Sequence, residues 1–459
     1  MIEKILRFFE KYIIPKSLYK LGQPIYHFTL SFLASFFYRF PSKKMIVIGV
    51  TGTKGKTTTC NLIAQILNAS GLKTGMATTA NFRIGDKEWP NETKQTMLGR
   101  FCLQKLLSQM SQESCRYAVV ETSSEGILQH RHQFINYTVA VFTNLSPEHI
   151  ERHGGFENYR AAKIKLFEKV AKSENGIGIY NLDDENIKYF LKPKIKNKYG
   201  YTMKPTTDNQ QLTTGKLNNI LKIKNIKLYP DKTEFTANNE KLEMPLVGEF
   251  NVYNAVAAIC VALSQNIPFE KIKASLALAK PPSGRFEIIN KGQDFIVIID
   301  YAHEPASLEA AYKAVIESHA KTKTPKLICL LGAQGGGRDK WKRPKMGEIA
   351  AQYCDKIILT NEDPYNENPS VILDDIEAGF SQTKNNKWKI MKNYYKIIDR
   401  KEAIKKAISL AKKGDAVILT GKGGESLMCV ENAHKIPWDE KHTVEEELEK
   451  LKKFRLPRK

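Results

Sequence analysis

The stretch GVTGTKGKTTTC, Gly49 to Cys60, constrains the fold more than any other part of the chain. It follows KMIVIGV (44–50), a short β-branched run that reads as a buried strand. It leads into TTTCNLIAQILNASG, with apolar residues at 62, 63, 66 and 67 on one helical face and Gly71 to close the helix. A strand, a glycine-bearing loop and a helix in that order aim backbone N–H groups and a helix N-terminus at an anion. Gly52 and Gly55 let the backbone cradle a polyphosphate, Lys56 reaches the β- and γ-phosphates, and the hydroxyl of Thr57 or Thr58 meets Mg²⁺. The strict spelling G-x-x-x-x-G-K-[ST] asks for glycine at 50, where the chain has Val50. ATP or GTP binding is the expectation, and a kinase, a GTPase or a ligase could each use such a loop.

The pattern recurs. RYAVVETSSEG (116–126) and YTVAVFTNLSPEHI (137–150) are buried strands that run directly into polar loops. Ligands of open α/β sheets sit at the carboxyl ends of strands, so these loops belong to one site. Residues 171–245 carry less signal, and the Lys/Asn/Thr-rich stretch 190–240 reads as a small β-rich excursion. GEFNVYNAVAAICVAL (248–263) is a helix, and KPPSGRFEII (280–289) breaks the chain with two prolines and a glycine. The βα alternation then restarts, with strands in 295–304, 326–337, 356–364 and 415–425, helices at 305–318 and 401–413, and a charged terminal helix. The expected architecture is α/β. A helical N-terminal segment (1–42) precedes a central P-loop ATPase domain (43–282) and a C-terminal Rossmann-like, doubly wound domain (283–459).

Net charge is +22, but the lysines are scattered and no basic stripe interleaves with aromatics. A lysine-rich surface with a pocket for phosphorylated substrates is expected, not a nucleic-acid partner. The seven cysteines are dispersed without a C-x-x-C pair, so neither a zinc ribbon nor a disulfide framework is expected, and a reducing cytoplasm suits them. PIYHFTLSFLASFFYRF (24–40) is aromatic and apolar and is flanked by Lys16, Lys20, Arg39, Lys43 and Lys44. The first expectation for it is a helix packed on the catalytic domain. The second is a peripheral, interfacial membrane helix, and the third is a membrane span.

Glu121, His149 and Lys163 follow successive elements, an odd ligand set unless the lysine is modified; from spacing alone Lys163 is a surface lysine. The motifs as a set resemble those of the Mur ligase family, which builds the peptide of peptidoglycan. TGTKGKTT (51–58) resembles that family's T-G-T-N-G-K-T-T, in which the earlier glycine falls at Gly49. ETSSEGILQHR resembles E-V-S-S-H-G-L-x-Q-x-R, and FTNLSPEHIERHGGFENYRAAK resembles the segment that ends in A-K. GEFNVYNAVAA, IDYAHEPASL, GGGRDKWKRPKMG, TNEDPYNENP and TGKGGE resemble the family's later motifs in the same order. The last set is most similar to the member that adds the third residue of the stem peptide.

The resemblance implies a cytoplasmic, ATP-dependent amide ligase, acting as a monomer on a UDP-N-acetylmuramoyl dipeptide and a free amino acid through an acyl phosphate. It implies Gly52, Thr53, Lys54, Gly55, Lys56, Thr57, Thr58, Asn254, Arg285, Asp300 and His303 at the nucleotide. Thr57, Glu121, His149 and a carbamylated Lys163 would hold two Mg²⁺ ions, with Lys56 and Arg285 neutralising charge in catalysis. Thr93, Thr96, Ser124, Gln129 and Arg131 would meet the acceptor, and Glu362, Asp363, Tyr365, Gly421 and Glu425 the amino acid.

Three departures stand out. Residues 1–44 are shorter than the family's usual N-terminal domain, which holds the uridine end, so a different or lipid-linked acceptor is an alternative. A folylpolyglutamate-synthase-like ligase is another, and a regulatory nucleotide-binding module would need the loop alone. Tyr365 stands where the family's diaminopimelate-adding members have arginine, which disfavours that amino acid. Lys54 and Gly424 replace asparagine and histidine; Lys54 is expected to add charge near the phosphates.

Overall fold

A computed structural model describes residues 16–148, 153–204, 217, 219–319, 325–382 and 388–455. The first sheet holds β1 (Ile46–Thr51), β2 (Thr74–Ala77), β3 (Asn81–Ile84), β4 (Lys87–Pro90), β5 (Tyr117–Glu121) and β6 (Tyr137–Phe142). It continues through β7 (Ile177–Asn181), β8 (Asn197–Thr202), β9 (Asn219–Leu228), β10 (Thr233–Ala237) and β11 (Glu240–Met244). The spatial order is β11-β10-β9-β8-β7-β6-β1-β5-β2-β3-β4. Pairing is parallel from β9 to β2 and antiparallel at both ends.

β1 lies between β5 and β6, so the chain leaves it toward one side of the sheet and later returns on the other. The loop after β1 therefore opens at the switch point, where a crevice forms outside the carboxyl ends. Val47, Ile48 and Val50 are buried because helices cover both faces. Helix Lys56–Ala69 packs with helix Glu249–Ser264 on one face. Helices Arg100–Gln112 and Phe156–Val170 contribute to the core on the other.

A second sheet holds β12 (Glu287–Ile289), β13 (Ile296–Asp300), β14 (Leu327–Leu331), β15 (Lys356–Leu359), β16 (Tyr394–Lys396) and β17 (Ala416–Thr420). Its order is β12-β13-β17-β14-β15-β16, parallel except for β12. A small hairpin, β18 (Leu427–Cys429) with β19 (Lys435–Pro437), follows it. Helices Pro305–Ser318, Lys342–Tyr353, Arg400–Leu410 and Glu440–Arg455 cover this sheet.

The N-terminal helix Lys16–Phe37 packs on helix Arg100–Gln112, the first of the three expected arrangements. Among the described residues no helix is long and apolar enough to cross a membrane, which removes the third. The cysteine expectation is corrected. Cys329 on β14 and Cys354, just past helix Lys342–Tyr353, form a disulfide with Cα atoms 6.1 Å apart. A β-strand and the helix returning to it bring the two together across 25 residues, a spacing with no signature in the sequence.

Candidate active site

The loop after β1 needs both its glycines. Gly52 has φ +152°, and a Cβ there would lie 1.9 Å from Thr143 Oγ1. Gly55 has φ +80°, and a Cβ there would lie 2.1 Å from Asn254 Oδ1. The loop is pinned by the segment after β6: Thr53 N–H donates to Asn144 O at 2.8 Å, and Lys54 N–H to Asn144 Oδ1 at 2.9 Å. The Thr53 hydroxyl lies 3.0 Å from that of Tyr159. Lys56 opens the helix and curls back to donate to Thr53 O at 2.8 Å. Burial pushes its amine below the ordinary lysine range, against the pull of Glu121 and Glu148. Lys54 lines the cleft, and its ammonium pairs with Glu148 at 3.0 Å.

Glu121 ends β5 beside Val50 of β1 and is buried. Its Oε2 accepts from the Thr57 hydroxyl at 2.9 Å and from Thr79 N–H at 2.8 Å. Its Oε1 accepts from the Thr79 hydroxyl at 2.9 Å. Lys163, on helix Phe156–Val170, is buried, not the surface lysine that spacing alone leaves open. Its amine donates to Gly52 O at 2.6 Å. Burial first, and Lys56 next, push that amine well below the ordinary lysine range. His149 lies outside the described residues.

Arg285 reaches the same cleft from the turn before β12, its guanidinium 4.1 Å from the Tyr301 ring centre. Asp300, at the end of β13, anchors that turn and lines the cleft: its carboxylate accepts from Phe286 N–H at 2.7 Å and Ala302 N–H at 2.9 Å. Burial pushes its carboxyl up. His303 Nδ1 lies 2.8 Å from Tyr301 O, and burial followed by Lys342 holds its ring well below the usual histidine range. Asn254 faces the loop at Gly55 and donates to Asn251 Oδ1 at 3.1 Å. Thr58 also lines the cleft.

Of the residues expected at the acceptor, Thr96, Ser124 and Arg131 line the cleft, and Thr93 and Gln129 do not. Thr93 donates to Asn91 Oδ1 at 2.6 Å, and Gln129 Oε1 accepts from Arg131 Nη2 at 2.6 Å. Both position their neighbours.

Asp363, Tyr365 and Glu425 line the far wall. Glu362 does not; it is fully buried beneath, neither oxygen hydrogen-bonded among the described residues. Burial first, and Asp363 next, push its carboxyl up to about 7. Gly421 lies over it, with a hypothetical Cβ 2.6 Å from Glu362 Oε2. Gly424 acquires a reason as well: a Cβ there would lie 2.6 Å from Ser283 O. The absent side chain lets the 421–425 loop close on the turn that carries Arg285.

Three cations meet this wall, and two of them, Lys422 and Lys94, were not expected from the sequence. Lys422 Nζ donates to Asp363 Oδ1 at 2.9 Å and Glu425 Oε2 at 2.6 Å. Lys94 Nζ, from the loop after β4, reaches the same two carboxylates. Arg338 stacks 4.6 Å from the Tyr365 ring centre and donates to its hydroxyl at 3.0 Å. The Gly-Gly-Gly before Arg338 marks a ligand loop in the sequence; Lys94 had no signal, since its partners are remote in the chain. The cleft between the two sheet edges has a volume of about 740 Å³, in the range of small-ligand sites.

The model of the Mur ligase middle domain matches residues 50–262, and that of the Mur ligase glutamate ligase domain matches 284–423. The UDP-N-acetylmuramoyl-L-alanyl-D-glutamate–2,6-diaminopimelate ligase of Syntrophomonas wolfei is 36% identical over 88% of this chain and 78% of its own length. The UDP-N-acetylmuramyl-tripeptide synthetase of a Roseiflexus species is 34% identical over 89% of this chain and 79% of its own. A solved structure of a ligase of the diaminopimelate-adding kind superposes with a TM-score of 0.60 at 26% identity, covering 92% of this chain and 83% of that one.

Proposed function

The chain belongs to the Mur ligase family, and from that premise we propose a reading of its site. The protein is an ATP-dependent acid–amino-acid ligase of peptidoglycan precursor synthesis. It adds an amino acid to UDP-N-acetylmuramoyl-L-alanyl-D-glutamate. The observation that carries this is one cleft with Lys56, Thr57, Glu121 and Lys163 on one wall and Arg338, Asp363 and Glu425 on the other. A nucleotide-binding switch would need the first wall alone.

The D-glutamate carboxylate oxygen bonds to the γ-phosphorus of ATP as the β–γ bridging bond breaks, giving an acyl phosphate and ADP. The amine of the incoming amino acid then attacks the acyl carbon, and inorganic phosphate leaves. Phosphoryl transfer needs positioning and charge neutralisation more than covalent help. Lys56 and Arg285 supply the latter from opposite sides. The backbone of Gly52, Thr53, Lys54 and Gly55 cradles the phosphates, with Thr58 at the helix start. Asn254 and His303 lie on the nucleotide side, and Asp300 serves the ribose while holding the Arg285 turn.

The Thr57 hydroxyl and the Glu121 carboxylate, 2.9 Å apart, form the hard-oxygen set that suits Mg²⁺. Two such ions, held by Thr57, Glu121, His149 and Lys163, would neutralise phosphate charge. A free amine is a poor ligand for them. An unprotonated amine is the form that adds CO₂, burial shifts Lys163 in that direction, and the carbamate so made would offer oxygen. Thr96, Ser124 and Arg131 hold the acceptor, with Thr93 and Gln129 behind them. Glu425 and Asp363 receive the incoming ammonium group over Gly421, with Tyr365 at the mouth and Glu362 beneath. In this reading residues 43–282 carry the ATPase chemistry and 283–459 the amino acid. The protein works as a monomer, and residues 24–40 touch a membrane peripherally.

The test is phosphate release from ATP with UDP-N-acetylmuramoyl-L-alanyl-D-glutamate and a panel of amino acids. Release should require acceptor and amino acid together. No release with any amino acid would remove the reading.

A further inference from the structure

Helix Lys16–Phe37 is amphipathic in the reverse sense to a helix on a globular surface. The face it packs inward is small and polar: His27, Ser31, Ala34 and Ser35 are buried. Ser31 donates to His130 O at 2.8 Å, and Arg100 contacts the His27 ring and donates to Gln129 O at 2.8 Å. The outward face carries Ile25, Phe28, Phe32, Leu33, Phe36 and Phe37, with Phe36 64% and Phe37 70% exposed. Phe28 and Phe32 meet Phe134 edge-on at 5.1 and 5.4 Å, which extends the patch onto the segment after Arg131. A contiguous apolar surface of this kind marks a docking face.

Charge selects the occupant. No Asp or Glu occurs between Glu10 and Asp86, and exposed Arg39, Lys43 and Lys44 follow the aromatic face. Aromatic side chains outward, cations at the end of the helix and no acid are the composition of a helix that lies in a headgroup layer. The helix is not apolar enough to cross a bilayer. A second copy is a poor fit, since the segment between Glu10 and Asp86 offers no acid to meet Arg39, Lys43 and Lys44 across a self-contact in a chain of net charge +22.

We propose that this face docks flat on an anionic lipid bilayer and so holds the acceptor end of the cleft at the membrane surface. The docking deepens the peripheral contact named above. The orientation rests on the acceptor reading: the helix's inward face bonds His130 O through Ser31 and meets, through His27, the Arg100 side chain that donates to Gln129 O, next to Arg131 in the cleft.

The experiment is co-sedimentation of the full chain with vesicles of phosphatidylglycerol and phosphatidylcholine, and of phosphatidylcholine alone. Size-exclusion chromatography and phosphate release with the soluble nucleotide acceptor run in parallel. The wild type should sediment with the anionic vesicles and release from them in high salt. Phe36→Asp/Phe37→Asp should lower partitioning about tenfold or more. Lys43→Glu/Lys44→Glu should weaken binding to the anionic vesicles. Both variants should keep the wild-type rate on the soluble acceptor, or show the same lack of turnover if the catalytic reading fails, so the two readings are separable. Equal sedimentation of wild type and the Phe36/Phe37 variant would overturn the proposal, as would equal binding to neutral vesicles. A wild-type dimer that the variant dissolves, with no vesicle binding, would assign the face to a second copy. Loss of binding on deleting residues 1–15 alone would place the anchor there and overturn it too.

Discussion

Lys94 Nζ lies 3.0 Å from Asp363 Oδ2, and its second contact is Glu425 Oε2 at 3.1 Å. A lysine from the loop before helix Arg100–Gln112 thus occupies the carboxylate pair on the opposite wall. Burial works against its charge, yet Glu425 and Asp363 hold the ammonium above the ordinary lysine range. In the proposed reaction that pair receives the amino acid's ammonium group, so Lys94 competes with substrate. Lys422 still neutralises both carboxylates when Lys94 is removed. Lys94→Met is therefore expected to lower the KM for the amino acid about threefold or more, read from initial rates against amino-acid concentration. A raised KM would mean that Lys94 binds a carboxylate of the substrate.

Lys163 is buried, its amine hydrogen-bonded to Gly52 O and pushed by that burial well below the ordinary lysine range. The proposed carbamate has two signatures. Wild-type protein equilibrated with ¹³C-bicarbonate should show a carbamate resonance that Lys163→Ala lacks. The same substitution should lower turnover about 100-fold or more, because the phosphate-facing wall loses an oxygen ligand. Full activity in Lys163→Ala would remove the role.

The elements that frame this wall were legible because buried parallel strands are apolar runs that end abruptly in polar loops. IVIGVT, YAVVE, YTVAVF, IVIID and AVILT all do so. The four-residue strands Thr74–Ala77, Asn81–Ile84 and Lys87–Pro90 show no such run, and the last is exposed along its length. The loop they lead into delivers Lys94, so the missed hairpin and the missed residue are one failure. Glu362 failed differently. It is next to Asp363 in sequence, but the chain turns there, so one carboxylate faces the cleft and the other the interior.

Gly424 tests the contact between the loop after β17 and the Arg285 turn. An alanine Cβ would lie 2.6 Å from Ser283 O and 3.0 Å from Ser283 Oγ, so one backbone segment must move. Gly424→Ala should destabilise the protein by about 1–3 kcal/mol, the cost of overpacking a tight contact. It should also lower turnover, because Arg285 moves with the turn. An unchanged melting temperature and rate would show that the two segments are not in rigid contact.

Glu362 is expected to make stability fall as pH rises. Its carboxyl titrates at about 7 in the folded protein and near 4.5 when unfolded, so the folded state binds its proton more tightly. Between those values the unfolded state releases the proton first, and folding loses free energy with each unit of pH. The cost is absent below about pH 4.5 and complete above pH 7, where it reaches up to about 3 kcal/mol. Glu362→Gln removes the ionisation while keeping the side chain's size. In urea titrations its stability advantage over the wild type should be small at pH 5 and full at pH 8. A constant difference across that range would mean that Glu362 is ionised in both states, with a buried partner for its charge.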